Sequence, residues 1–172
     1  MEISAHNGMG LRKQEVGFAM TSFSKMWDNH PTGEFPCTES SGKKAYTNQC
    51  AIRMGVAFDK AGVSTKTFKG ARCWHEHAPK HILRAEELAE WLKGPFTPFG
   101  KVETFEAASG FSRISGRTGV IFFKDYYGSN GQGDHIDLWN GSRLTKFVSW
   151  FDFLFMGGSH YAKATVWFWP VE

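Results

Sequence analysis

The sequence predicts an α+β fold in which helices come first and an antiparallel sheet follows. Two observations carry this. In the first half of the chain apolar residues recur at helical spacing, as in Phe18, Met20, Phe23, Met26 and Trp27. From Gly119 onward the pattern changes to short β-rich runs separated by turn residues. A third observation bounds the architecture: no repeat and no domain-separating linker interrupts the 172 residues. One domain over 1–172 is expected, with 1–15 a loose N-terminal arm.

The elements follow in order. Residues 16–27 read as a first helix, stopped by His30-Pro31-Thr32-Gly33. The stretch 35–46 is rich in Gly, Ser, Thr and Lys and reads as a surface loop. Residues 48–60 form a second helix with Ala51, Met54, Ala57 and Phe58 on one face, Gly62 as its stop and Thr47 or Asn48 as its cap. Residues 63–74 are irregular or a short strand. Ala78-Pro79 opens a third helix carrying Ile82, Leu83, Leu88 and Leu92, and Gly94-Pro95 closes it. Strands are expected at 120–123, 136–139, 144–148 and 165–169, with Asn140-Gly141 as a hairpin turn.

Composition excludes several classes of function. Apolar residues make up 41%, so the chain can build a core and is not a disordered tail. Lys and Arg number 20 against 17 Asp and Glu, a net +3, too weak a surplus for a nucleic-acid partner. No run of 18 apolar residues exists, so no membrane-spanning helix is expected. The first 15 residues lack the apolar centre of a secretory signal, so the protein either stays in the cytoplasm or leaves it by another machine. Three cysteines, Cys37, Cys50 and Cys73, are too few for a disulfide scaffold, and at least one thiol stays free.

Cys50 stands at the beginning of the second helix, where the positive end of the helix dipole stabilises a thiolate and backbone N–H groups can hold an oxyanion. The alternative is a buried structural cysteine, the commoner fate of a lone one. His135 stands where the Gly-rich stretch 128–133 runs into a strand, held by a sheet yet open to substrate; the alternative is a polar edge-strand residue. On that strand Ile136 and Leu138 face one side, and His135, Asp137 and Trp139 the other. A thiol at a helix N-terminus with a histidine on a later strand is the papain-like arrangement, in which the imidazole takes the thiol proton and the thiolate attacks an amide carbonyl. Asp137 is favoured to orient the ring, although i+2 neighbours stand about 7 Å apart along a strand. Asp152, on a returning strand, is the other candidate, and Asp137 as a solvent-facing carboxylate is the alternative. Gln49 and Tyr46 are near enough in sequence to be oxyanion-hole suspects.

Cys73, His75, His77 and His81 invite a zinc reading, but the segment lacks C-x-x-C and H-E-x-x-H, and Pro79 interrupts it. No metal and no cofactor is therefore expected. Cys37 and Cys73 are candidates for pairing in an oxidising compartment. Residues 128–133 lack the Lys-Ser/Thr of a phosphate-binding loop. The run Val166-Trp167-Phe168-Trp169 reads as a closing core strand, with a sugar-stacking platform as the alternative.

Several segments carry a family resemblance. They are Ser22 through Pro31, Asn48-Gln49-Cys50-Ala51-Ile52-Arg53-Met54, Gly119-Val120-Ile121-Phe122-Phe123, Asp134 through Ser142, and Val166-Trp167-Phe168-Trp169-Pro170. Together they resemble the type VI secretion amidase effectors, in order and over nearly the whole chain. The resemblance implies a papain-like, NlpC-type fold and a cysteine amidase acting on the γ-D-glutamyl–meso-diaminopimelate bond of peptidoglycan stem peptides, with Cys50 as nucleophile and His135 as base. It also implies delivery by a type VI secretion apparatus into the periplasm of rival bacteria, and a cognate immunity protein. One departure stands out. Some relatives place a catalytic aspartate across the hairpin from the histidine, and a symmetric count over Asn140-Gly141 lands on Lys146 instead. Rival readings are a wall-binding module without catalysis, a zinc hydrolase built on His75, His77 and His81, and an amidase cutting the diaminopimelate–D-alanine crosslink.

Overall fold

The computed structural model describes residues 22–95, 97–127, 133–146 and 164–172. Three helices precede the sheet. They are α1 (Phe23–Asp28), α2 (Cys50–Lys60) and α3 (Ala85–Leu92). The strands are β1 (Glu103–Glu106), β2 (Gly119–Tyr127), β3 (Gly133–Trp139) and β4 (Thr165–Pro170), with α4 (Ala107–Ile114) between β1 and β2. The strands form a four-stranded antiparallel sheet in the order β1-β4-β2-β3. The α+β class read from the sequence is the observed one.

The sheet is buried on both faces, which explains its near-continuous apolar strands. Alternate residues divide cleanly. Val120, Phe122, Ile136, Leu138, Trp167 and Trp169 pack with Met54 and Phe58 of α2 and Leu88 and Leu92 of α3. Ile121, Phe123, Trp139, Val166 and Phe168 pack with Phe105 and Ile114 on the other side. The 166–169 run is therefore core strand: Trp169 and Phe168 are fully buried, and no sugar-stacking platform stands there. α2 and α3 pack on β3, which lies at the edge of the described sheet, so the start of α2 meets the residues of that strand.

Several expected boundaries move. α1 is described from Phe23, and residues 16–21 lie outside the described residues, as does the 1–15 arm. α2 begins at Cys50, and its flanking residue is Gln49, which makes no side-chain cap; Thr47 and Asn48 do not cap it. The third helix starts at Ala85, not at Pro79. Residues 71–83 instead fold back on themselves: Leu83 N donates to Ala71 O at 3.0 Å, Cys73 N to His81 O at 2.9 Å, and Arg72 pairs with Ile82. Those backbone bonds outcompete the helix that Pro79 would have opened. β1 and α4 were not expected. At the hairpin, Asn140 Oδ1 accepts from Ser142 N and Arg143 N, and the first pair across the turn is Trp139 with Leu144. The turn is two residues longer than a bare Asn-Gly hairpin, so continuing its register does not set Lys146 opposite His135. Residues 147–148 of the expected 144–148 strand lie outside the described residues. Among the described residues no helix is long and apolar enough to cross a membrane.

Candidate active site

Cys50 is the first residue of α2 and is half-buried. No side-chain oxygen caps the helix and no acidic residue lies in its first turn, so its N-terminal dipole acts on the thiol unopposed. Burial pushes the Cys50 thiol up. The hydrogen bond to His135, the charge on that ring and the backbone N–H groups of Ile136 and Ala51 outweigh it, and the thiol lies below its ordinary value.

His135 comes from β3, opposite Phe123 of β2, and its ring lies over the Phe123 ring with centroids 6.2 Å apart. Its Nε2 stands 3.5 Å from Oδ2 of Asp137. Burial alone would lower the imidazole. Hydrogen bonds and charge from Asp137 and Cys50 reverse this and hold it well above the usual histidine range. Asp137 is only 3% exposed, so it is not a solvent-facing carboxylate. Its Oδ1 accepts from Leu138 N at 2.8 Å and Thr145 Oγ1 at 2.6 Å. Burial pushes the carboxyl up, and His135, His30 and Thr145 more than offset it, leaving it below the ordinary carboxylate range. The i+2 spacing that looked too long along the strand is closed at the side chains, whose nearest charged atoms stand 3.5 Å apart.

The structure thus brings Cys50, His135 and Asp137 into one chain of contacts. Asp152 lies outside the described residues. Gln49 does not serve an oxyanion: it is buried, its Oε1 accepts from Cys37 N at 3.2 Å, and its Nε2 donates to Cys37 O at 2.8 Å and Tyr46 O at 3.3 Å. It splints the loop before α2. Tyr46 packs with Cys37, Ile52 and Cys73. Sequence reading missed His30. Its Nε2 lies 3.9 Å from Oδ1 of Asp137, its side chain is 5% exposed, and desolvation holds it below the usual histidine value. As a helix-stop residue it carried no signal of this proximity.

The histidine segment gives a different set from the one expected. His75, half-buried beside Trp74 and Tyr46, is not part of it. Cys37, Cys73, His77 and His81 converge instead, with their potential ligand atoms all within 4.8 Å of one another. Cys37 and Cys73 are free thiols.

The sequence matches the family described as type VI secretion system (T6SS), amidase effector protein 4, over residues 46–169. No curated protein matches the chain. The fold is similar to that of the type VI effector Tae4 from Enterobacter cloacae, with a TM-score of 0.66 at 18% identity, covering 88% of this chain and 97% of that one. It is similar also to Tae4 in the Tae4/Tai4 effector–immunity system from Salmonella typhimurium, with a TM-score of 0.64 at 20% identity, covering 88% and 99%. These neighbours share the α+β architecture, consistent with the papain-like NlpC fold. The family match takes in the helix that starts at Cys50, the strand that carries His135 and Asp137, and the closing strand, and on it this chain belongs to the type VI secretion amidase effector 4 family.

Proposed function

We propose that the protein hydrolyses the γ-D-glutamyl–meso-diaminopimelate amide of peptidoglycan stem peptides by a thiol mechanism, with Cys50 as nucleophile, His135 as acid and base, and Asp137 as the residue that orients the ring. The observation that carries this is the convergence of Cys50 at an uncapped helix start, His135 and the buried Asp137. With Nε2 turned to Asp137, Nδ1 is the nitrogen left for the thiol. His135 takes the Cys50 proton, and the thiolate attacks the γ-glutamyl carbonyl carbon. Backbone N–H groups at the start of α2 stabilise the oxyanion. The imidazolium then protonates the diaminopimelate amine as the C–N bond breaks and a thioester remains on Cys50. Water, deprotonated by His135, hydrolyses the thioester and restores the thiol.

By this reading the protein is a toxin that a type VI apparatus delivers to the periplasm of rival bacteria. Its partners are stem peptides and a cognate immunity protein, a role that Tai4 has beside Tae4 in the solved complexes. A wall-binding module without catalysis would have no use for a thiol, a raised imidazole and a buried carboxylate in line. Cys50→Ala and His135→Ala are each expected to lower hydrolysis of purified stem peptide by on the order of 10³-fold or more with an unchanged circular dichroism spectrum. Full activity in either folded variant would overturn the assignment.

A further inference from the structure

A second group of reactive side chains gathers beside the loop that leads into α2. Residues 71–83 form a narrow antiparallel ladder, and its loop curls back so that His77 covers Cys73. Cys37 arrives from a separate loop, closed by the Thr38–Lys44 pair and by Ala45 N donating to Cys37 O at 3.0 Å. His77 Nε2 stands 3.4 Å from Cys37 Sγ and 3.5 Å from Cys73 Sγ. The ring of His81 lies 4.1 Å, centroid to centroid, from that of His77.

These distances have a simple reference. With Zn–S about 2.3 Å and Zn–N about 2.0–2.1 Å, the S···N edge of a tetrahedron is about 3.6 Å. Both measured S···N separations lie within a few tenths of that edge. The donors are two thiols and two imidazoles, the soft-to-borderline set that selects zinc over magnesium or calcium. His81 Nδ1 is buried and has no hydrogen-bond partner, a cost that a bound cation would remove. His81 N donates to Cys73 Sγ at 3.1 Å, a backbone bond that supports a thiolate. Both sulfurs are buried, as a closed structural site requires.

We propose that Cys37, Cys73, His77 and His81 bind one zinc ion as a structural clamp, separate from Cys50, His135 and Asp137. Binding releases the two thiol protons to solvent, so two thiolates balance the dication. The clamp joins the 37–49 loop to the 71–83 ladder. Gln49, hydrogen-bonded to the backbone of Cys37, stands directly before Cys50 and ties the clamp to the start of α2. Ile52 of α2 packs on the same two cysteines.

The test is elemental analysis of untagged, full-length protein purified under reducing conditions, with cobalt(II) titration of the chelated protein. About one zinc per chain is expected, with tetrahedral cobalt d–d bands and a thiolate-to-cobalt charge-transfer band. Both signals are lost in Cys37→Ser and in His77→Ala and kept in Cys50→Ser. His77 sits on a loop, so its variant remains informative if Cys37→Ser fails to fold. Chelation is expected to lower the melting temperature of the wild type and to leave that of folded His77→Ala unchanged. Protein without zinc that takes up no cobalt, whether its two thiols are free or joined as a Cys37–Cys73 disulfide, would overturn the proposal. So would metal that persists in His77→Ala or disappears in Cys50→Ser.

Discussion

Cys50 and His135 exchange one proton, and their opposite shifts define when the proposed chemistry runs. The thiol lies below its ordinary value and the imidazole well above its own, so a thiolate–imidazolium pair exists between the two macroscopic ionisations. Activity is expected to rise as Cys50 loses its proton, below the usual thiol range. It falls only when the imidazolium deprotonates, above the usual histidine range. A kcat/KM profile on a soluble stem peptide reads both limbs, and a flat profile contradicts the pair. Asp137→Asn removes the charge that raises His135, so the alkaline limb moves to lower pH and kcat/KM falls by about 10²-fold. A loss of rate with the limb unmoved would make Asp137 a packing residue. As a candidate site these three residues were legible from local marks: a cysteine at a helix start, a histidine at a strand start and a carboxylate two residues on. His30 left no such mark, since only the fold carries the end of α1 to Asp137. Cys37 was invisible as a partner of the histidines for the same reason, although the x3 spacings from Cys73 to His77 and from His77 to His81 were there to be read.

At the scale of elements, α2 and β3 were readable from their periodicity, and they hold the site. The third helix was placed too early because Pro79 resembles a helix-first proline, whereas ladder bonds from Ala71 and Cys73 hold that stretch extended. β1 and α4 escaped notice for a different reason. β1 is four residues long with two charged glutamates, and α4 contains Gly110, so neither has a strong periodic signal. Gly110 is there for closeness: a Cβ on it would lie 1.8 Å from Cδ2 of Phe105. Gly119 makes the same case at the start of β2, pairing with Trp139 on one side and Pro170 on the other. A Cβ there would lie 2.2 Å from Trp169 O and 2.7 Å from the Phe168 ring. Gly119→Ala is therefore expected to cost about 1–3 kcal/mol in urea unfolding, since a backbone oxygen cannot move aside cheaply. An unchanged midpoint would mean that the sheet has slack the structure does not display.

Across the whole molecule, one sheet buried on both faces separates two apolar layers and presents its β3 edge to α2. The high aromatic content serves this core: among the described residues the large exposed hydrophobics are Phe35 and Trp74. Composition was enough to predict that the chain builds a core, and the switch from helical to β pattern near Gly119 was enough for the fold class. Strand order and the edge position of β3 were not legible, because they depend on pairings between residues far apart in sequence. By the proposed mechanism this scaffold aims one thiol at one amide. Mass spectrometry of purified sacculi digested by the wild type and by Cys50→Ala decides this. Fragments cut between D-glutamate and diaminopimelate are expected from the wild type and absent with the variant. Cuts confined to the diaminopimelate–D-alanine crosslink, or the same fragments from folded Cys50→Ala, would contradict it.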